Sequence, residues 1–136
     1  MTVCADASLV VKWLTDEAGS DEALAWLNAH SDEDIIAPAF MPVDVTSVIR
    51  RKSLRGNVTV EQGLTALRFL ASLNVTLAWD WALAEKALSL AVELDQPSTY
   101  DTAYLALAQR EGCDLWTSDA EFVRAASARY PCVRLL

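Results

Sequence analysis

Four aspartates stand where the chain passes from one kind of element to the next: Asp6, Asp44, Asp101 and Asp119. Asp6 ends the apolar run Val3-Cys4-Ala5, and Asp119 closely follows Leu115-Trp116-Thr117. In both places a short buried strand gives way to a helix. An aspartate there sits at the carboxyl edge of a sheet, where open α/β folds hold their ligands. Asp101 falls in the first turn of a helix beginning near Tyr100, and Asp44 in the early part of a helix that follows the second strand. Parallel strands bring such ends to one edge, so all four carboxylates can face one crevice. They cannot all stay ionised in a small site unless a cation compensates them. Oxygen ligands alone suit Mg²⁺ or Mn²⁺ far better than Zn²⁺, which prefers Cys and His. Such ions polarise phosphoryl oxygens and activate water, so phosphodiester hydrolysis is the reaction class this set serves best. Each aspartate also has a plainer use. Asp6 and Asp119 can be helix N-caps, and Asp44 and Asp101 first-turn acids favoured by the helix dipole.

Competing chemistries lack parts. His30 is the only histidine and lies in an acidic loop, so a Ser or Cys triad has no base. There is no HExxH, and no glycines stand at dinucleotide or P-loop spacing. A receiver-type phosphoacceptor would carry adjacent acids near the first strand and a late strand-end lysine, and neither is present. Cys4, Cys113 and Cys132 are odd in number without CxxC spacing, so they read as core thiols in a reducing cytoplasm.

The elements that must position these residues alternate. After the first strand, Ala7 to Leu14 forms a short helix, and Ser20 caps a second through about Ala29. Ile35-Ile36-Ala37 is a brief strand, and Pro38 starts the next helix, which Gly56 stops. Thr59-Val60-Glu61-Gln62 is a capping box opening a helix with Leu64, Leu67, Leu70 and Ala71 on its apolar face. Val75 to Ala78 is a strand, and Asp80 caps a helix that buries Ala84, Ala87, Leu88 and Ala91. Tyr100, Ala103, Tyr104, Leu107 and Ala108 mark an amphipathic helix ended by Gly112. Cys113 to Thr117 is a strand, Ala120 to Ala128 a helix, and Val133 to Leu136 a last strand. The pattern is α/β with a parallel sheet covered on both faces, in one domain spanning 1–136.

Composition narrows the partners. The chain has 136 residues, 53% of them hydrophobic, enough for one sizeable core. No apolar run approaches a membrane span, and the N-terminus lacks a basic n-region, so no membrane role and no signal peptide are expected. The net charge of −8 argues against a general nucleic-acid coating protein but not against a nuclease whose carboxylates hold cations. Up to residue 49 Lys12 is the only basic residue; then Arg50, Arg51, Lys52 and Arg55 come together. That cluster can grip RNA phosphates or simply favour a helix C-terminus. Trp79-Asp80-Trp81 can stack bases, but all five tryptophans adjoin predicted buried faces and read as packing residues, as do Tyr100 and Tyr104.

Several pieces in order resemble the PIN-domain family, specifically the VapC-type toxin ribonucleases of type II toxin–antitoxin systems. They are Ala5-Asp6-Ala7-Ser8 with Lys12-Trp13, Ala37-Pro38 with Asp44-Val45, Ser98 to Tyr104, and Thr117-Ser118-Asp119. The resemblance implies a three-layer α/β/α sandwich with a mostly parallel sheet. It implies an Mg²⁺- or Mn²⁺-dependent endoribonuclease, hydrolysing RNA with an activated water, inhibited by a cognate antitoxin and homodimeric. It would make Asp6, Asp44, Asp101 and Asp119 the acidic quartet, with Asp6 and Asp101 as direct metal ligands and Asp119 completing the metal site. Ser8 and Thr117 would hold carboxylates or water in place, with Glu121 as a fifth acid. The second acid is normally Glu in this family and is Asp44 here, one methylene shorter. A common Asn three residues later is Ser47. The alternative is a PIN-like module that binds RNA or protein and is catalytically weak.

Overall fold

The short apolar runs pair with one another before anything else in the chain makes sense. The computed structural model describes residues 1–136. Its strands are β1 (Thr2–Ala5), β2 (Asp34–Pro38), β3 (Thr76–Ala78), β4 (Leu115–Thr117) and β5 (Val133–Leu135). They form one sheet in the order β3-β2-β1-β4-β5 with every pair parallel. Helices α1 (Ala7–Leu14), α2 (Ser20–Ala29), α3 (Met41–Leu54), α4 (Val60–Ser72), α5 (Trp81–Glu93), α6 (Tyr100–Glu111) and α7 (Ala120–Ala126) flank it, giving the three-layer α/β/α arrangement. The chain steps outward from β1 to β2 to β3, then returns to the other side of β1 with β4 and β5. The direction of strand order therefore reverses between β1 and β4, and a crevice opens past their carboxyl ends. Cys4 pairs with Leu115 and Ala5 with Trp116, so the residues after β1 and β4 leave the sheet at one level.

Pro38 does not start a helix. It is the last residue of β2, opposite Ala78, and α3 begins at Met41 with Pro42 in its first turn. Pro38 lies past the last β1–β2 pair, Cys4–Ile36, and Ala39 supplies the N–H that bonds Ala78 O at 3.1 Å. Proline's missing donor thus costs no ladder bond there. Ser20 is likewise not a cap. Gly19 takes that position at φ +88°, where a side chain would also run into Lys12, and the Ser20 hydroxyl closes the preceding loop onto Thr15 O at 2.7 Å. The Thr59–Gln62 capping box forms as read.

Two helices bury faces other than those expected. On α4 the buried residues are Gly63, Ala66 and Leu70, whereas Leu64 and Ala71 face solvent. The reason is close approach. A Cβ on Gly63 would sit 2.7 Å from Ile49 Cγ2 of α3, so the small residues, not the large ones, face the neighbour. On α5 Leu83, Ala87, Leu90 and Ala91 are buried and Leu88 is exposed.

Helix α6 is not amphipathic. It packs on β1, β2, β4 and α5, and every residue from Thr102 to Ala108 is buried. The Thr102 hydroxyl donates to Ala87 O at 2.8 Å, which satisfies that buried hydroxyl. Tyr100, one turn earlier, lies outside this enclosure and is 60% exposed. Trp13 and Trp26 are core residues stacked at 5.7 Å, with His30 stacked on Trp26 at 4.0 Å. Trp79 and Trp81, by contrast, are exposed. The cysteines are all free, and no helix is long and apolar enough to cross a membrane.

Candidate active site

Asp6 is the buried centre of the crevice. It is only 4% exposed and caps α1, one carboxylate oxygen accepting from Leu9 N at 3.1 Å and Ser8 Oγ at 2.6 Å. The other oxygen accepts from Thr117 Oγ1 at 2.5 Å. Burial pushes its pKa up, the three hydrogen bonds pull it down, and Asp119 raises it again. Capping and the crevice position are therefore one arrangement: the turn that lets Asp6 cap α1 also fixes its carboxylate beside β4.

Thr117 and Ser8 stitch the two strand ends together. Thr117 Oγ1 accepts from Asp119 N at 3.0 Å while donating to Asp6. Ser8 Oγ lies 3.3 Å from Thr117 Oγ1 and accepts from Ser118 N at 3.0 Å. Asp119 then caps α7 by accepting from Phe122 N at 3.1 Å.

Asp101 and Asp44 come from the helices. Asp101, in the first turn of α6, is pushed up to about 6 by burial first and then by the charges of Asp6, Asp119 and Asp44. Asp6, Asp119 and Asp44 thus all lie within electrostatic reach of Asp101. Asp44, in the first turn of α3, is half-buried; burial raises it and Arg51 opposes that rise. Glu121 is exposed on the first turn of α7 and lines an open polar cleft with Asp101, Asp119, Ser98 and Arg124. No three acids stand close enough, as placed, to chelate one ion.

The basic cluster of α3 divides. Lys52 pairs with Glu17 of the α1–α2 loop, and Arg50 reaches Ser53 at 3.2 Å. Arg55 is exposed at the C-cap, and Arg51 faces Asp44. That last placement was readable from the sequence, since seven residues are two helical turns and return to the same face. The Tyr104 hydroxyl was not singled out. It is buried with no hydrogen-bond partner of good geometry, beside the Ala7 backbone, and is raised by burial and then by Asp44 and Asp6. Its signal was the i, i+3 spacing from Asp101. The Ser118 hydroxyl is also buried and unpartnered at this edge.

Set against known proteins, residues 3–128 match the PIN domain. No curated protein matches the chain. Two solved structures share its fold. One is PAE2754 from Pyrobaculum aerophilum, with TM-score 0.68 and 20% identity over 92% of this chain and 87% of that one. The other is VapC20 of Mycobacterium tuberculosis, a toxin that cleaves the sarcin-ricin loop, with TM-score 0.70 and 17% identity over 91% and 95% of the two chains.

Proposed function

The chain belongs to the PIN-domain family, and from that premise we propose that it is an Mg²⁺- or Mn²⁺-dependent endoribonuclease, the toxin of a toxin–antitoxin pair. One observation carries the reading: Asp101, held near 6 by burial first, also feels the charges of three other carboxylates, Asp6 after β1, Asp119 after β4 and Asp44 of α3. A structural role alone does not call for three acids to gather around a fourth. The donors are all oxygen, which suits a hard dication. Two buried hydroxyls without partners, on Tyr104 and Ser118, add unsatisfied polar groups at the same edge.

In this reading Asp6, Asp101 and Asp119 would hold the metal, some of them through bound water, since no three acids stand close enough to chelate one ion directly. Bound there, it supplies Lewis acidity toward a phosphoryl oxygen and activation of water. The chain's own residues do the positioning. Ser8 and Thr117 fix the Asp6 carboxylate through both oxygens, so its rotamer is set before substrate arrives. Thr117 couples that orientation to the Asp119 backbone. Asp44 and Glu121 flank the crevice as further acids, and Arg51 lies where it can meet a substrate phosphate beside Asp44. RNA as substrate, a cognate antitoxin as inhibitor and a second copy of the chain are the partners that go with this reading.

Purified protein incubated with structured RNA and Mg²⁺ or Mn²⁺ tests it. Cleavage should exceed that of a folded Asp6→Asn control by orders of magnitude, and equal rates would sink the enzyme reading. The second reading is a PIN-like binding module of weak activity. It is favoured by the open spacing of the acids and by the short arm of Asp44. Under the nuclease reading Asp44→Glu tightens Mn²⁺ binding measured by calorimetry; an unchanged affinity counts against the short arm as the limiting feature.

A further inference from the structure

Beside the Asp44–Asp101 side of the crevice stands an aromatic array that the acid chemistry does not use. Trp79, just past β3, and Tyr100, the first residue of α6, each set a ring against Phe40, at 5.6 and 5.7 Å and interplanar angles of 77° and 79°. Phe40 rests in turn on the buried Tyr104 ring at 5.6 Å and 85°. Phe40 is the N-cap of α3, and its carbonyl accepts from Asp44 N at 3.0 Å, while Tyr100 directly precedes Asp101. The array is therefore joined to both carboxylates through single turns of backbone. Its inner members are buried or half-buried, yet Trp79 is 41% and Tyr100 60% exposed. Large rings held in fixed orientation by edge-to-face contacts, but left open to water beside a polar site, are suited to a planar partner.

We propose that Trp79 and Tyr100 form a stacking platform for unpaired bases of an RNA strand flanking the bond cut at the acidic crevice. The inference rests on the ribonuclease reading above and specifies how that site holds its strand. Charge argues for it. With a net charge of −8, and with Arg51 and Arg124 the cations at the crevice, phosphate attraction gives little grip. Stacking needs no positive charge and tolerates any base. A paired base in a helix has its faces covered by neighbours, so only unpaired nucleotides can be splayed onto the rings.

The test is equilibrium binding of three probes: a short unstructured oligoribonucleotide, the same strand with abasic central nucleotides, and a blunt RNA duplex. Binding is measured to wild-type protein in EDTA and to Asp6→Asn in Mg²⁺. The expected order is intact strand tightest, abasic strand and duplex weaker. Trp79→Ala and Tyr100→Ala should each weaken the intact strand by about five- to 150-fold and leave the abasic strand unchanged, with Trp79→Phe and Tyr100→Phe restoring most of the loss. Two phosphate contacts give a log–log salt slope of only about −1.4. Circular dichroism and melting temperature confirm that each variant is folded. Equal binding of intact and abasic strands, unchanged binding by folded alanine variants, a steep salt slope, or no RNA binding at all overturns the proposal. So does an alanine variant that shifts the protein from dimer to monomer while RNA binding holds, which assigns the rings to self-association. Cleavage by alanine variants with unaltered binding defeats the platform and leaves the nuclease intact. Base-dependent binding without any cleavage defeats the nuclease reading and leaves the platform.

Discussion

Replacing Asp101 by Asn should make the metal-free protein more stable at neutral pH while removing a ligand of the proposed metal site. The carboxyl is raised from 3.8 to about 6, a rise of about two units, or about 3 kcal/mol of penalty on the ionised form. Asp101 is only half-buried, so solvent screening reduces this to about 1–2 kcal/mol. The direction follows from linkage. Between about 3.8 and 6 the native state keeps a proton the unfolded chain has lost, so stability falls as pH rises through that window and levels off above it. Asp101→Asn takes that titration away and with it the cost of burying the charge and then the repulsion from Asp6, Asp119 and Asp44. Urea unfolding in EDTA at pH 7 should show the variant more stable by about 1–2 kcal/mol, the two proteins converging near pH 4. Asp6 and Asp44, raised in the same direction, keep what slope remains. Adding Mn²⁺ should invert the order. At a hundredfold excess over its dissociation constant a ligand stabilises by about 2.7 kcal/mol, and wild type should gain most of this while the variant gains little. A variant less stable than wild type in EDTA at pH 7, or an unchanged pH slope, would refute the convergence of the four acids.

Other perturbations separate support from chemistry. Thr117→Val deletes the donor to Asp6 and the acceptor for Asp119 N, leaving one buried and one partly buried polar group unpaired, and should cost about 3 kcal/mol by urea unfolding. Thr117→Ser should recover most of it, and a valine variant within about 0.5 kcal/mol of wild type speaks against the bridge. Gly63→Ala should lower stability by about 1 kcal/mol net, the overlap with Ile49 outweighing the gain in helix propensity. A rise in melting temperature would mean that α3 and α4 separate at no cost.

Local pattern is what the sequence carried well. Alternating apolar runs and capping residues marked all five strands and seven helices, because periodicity and caps depend on neighbours within a few residues. They also placed Asp6 and Asp119 at strand ends and Asp101 in a first turn, since those are properties of single junctions. Faces were less legible. On α4 Leu64 and Ala71 outweigh Gly63 and Ala66 by hydrophobicity, yet close approach to Ile49 turns the small residues inward beside Leu70. On α6 the enclosure by β1, β2, β4 and α5 buries every side of the helix, which no periodicity can announce.

The tertiary structure alone decided what meets what. Strand order put β1 beside β4, and only that pairing lets Thr117 bridge Asp6 and the Asp119 backbone across more than a hundred residues. It also brought Trp79 and Tyr100 onto Phe40 and left them open to water, against the expectation that both were core. The sequence by itself determined which residues stand at the ends of elements, because a cap or a strand end satisfies backbone groups locally. Which ends share a crevice depends on long-range pairing, whose selectivity comes from the packing of the whole sheet and its helices and is written in no single segment.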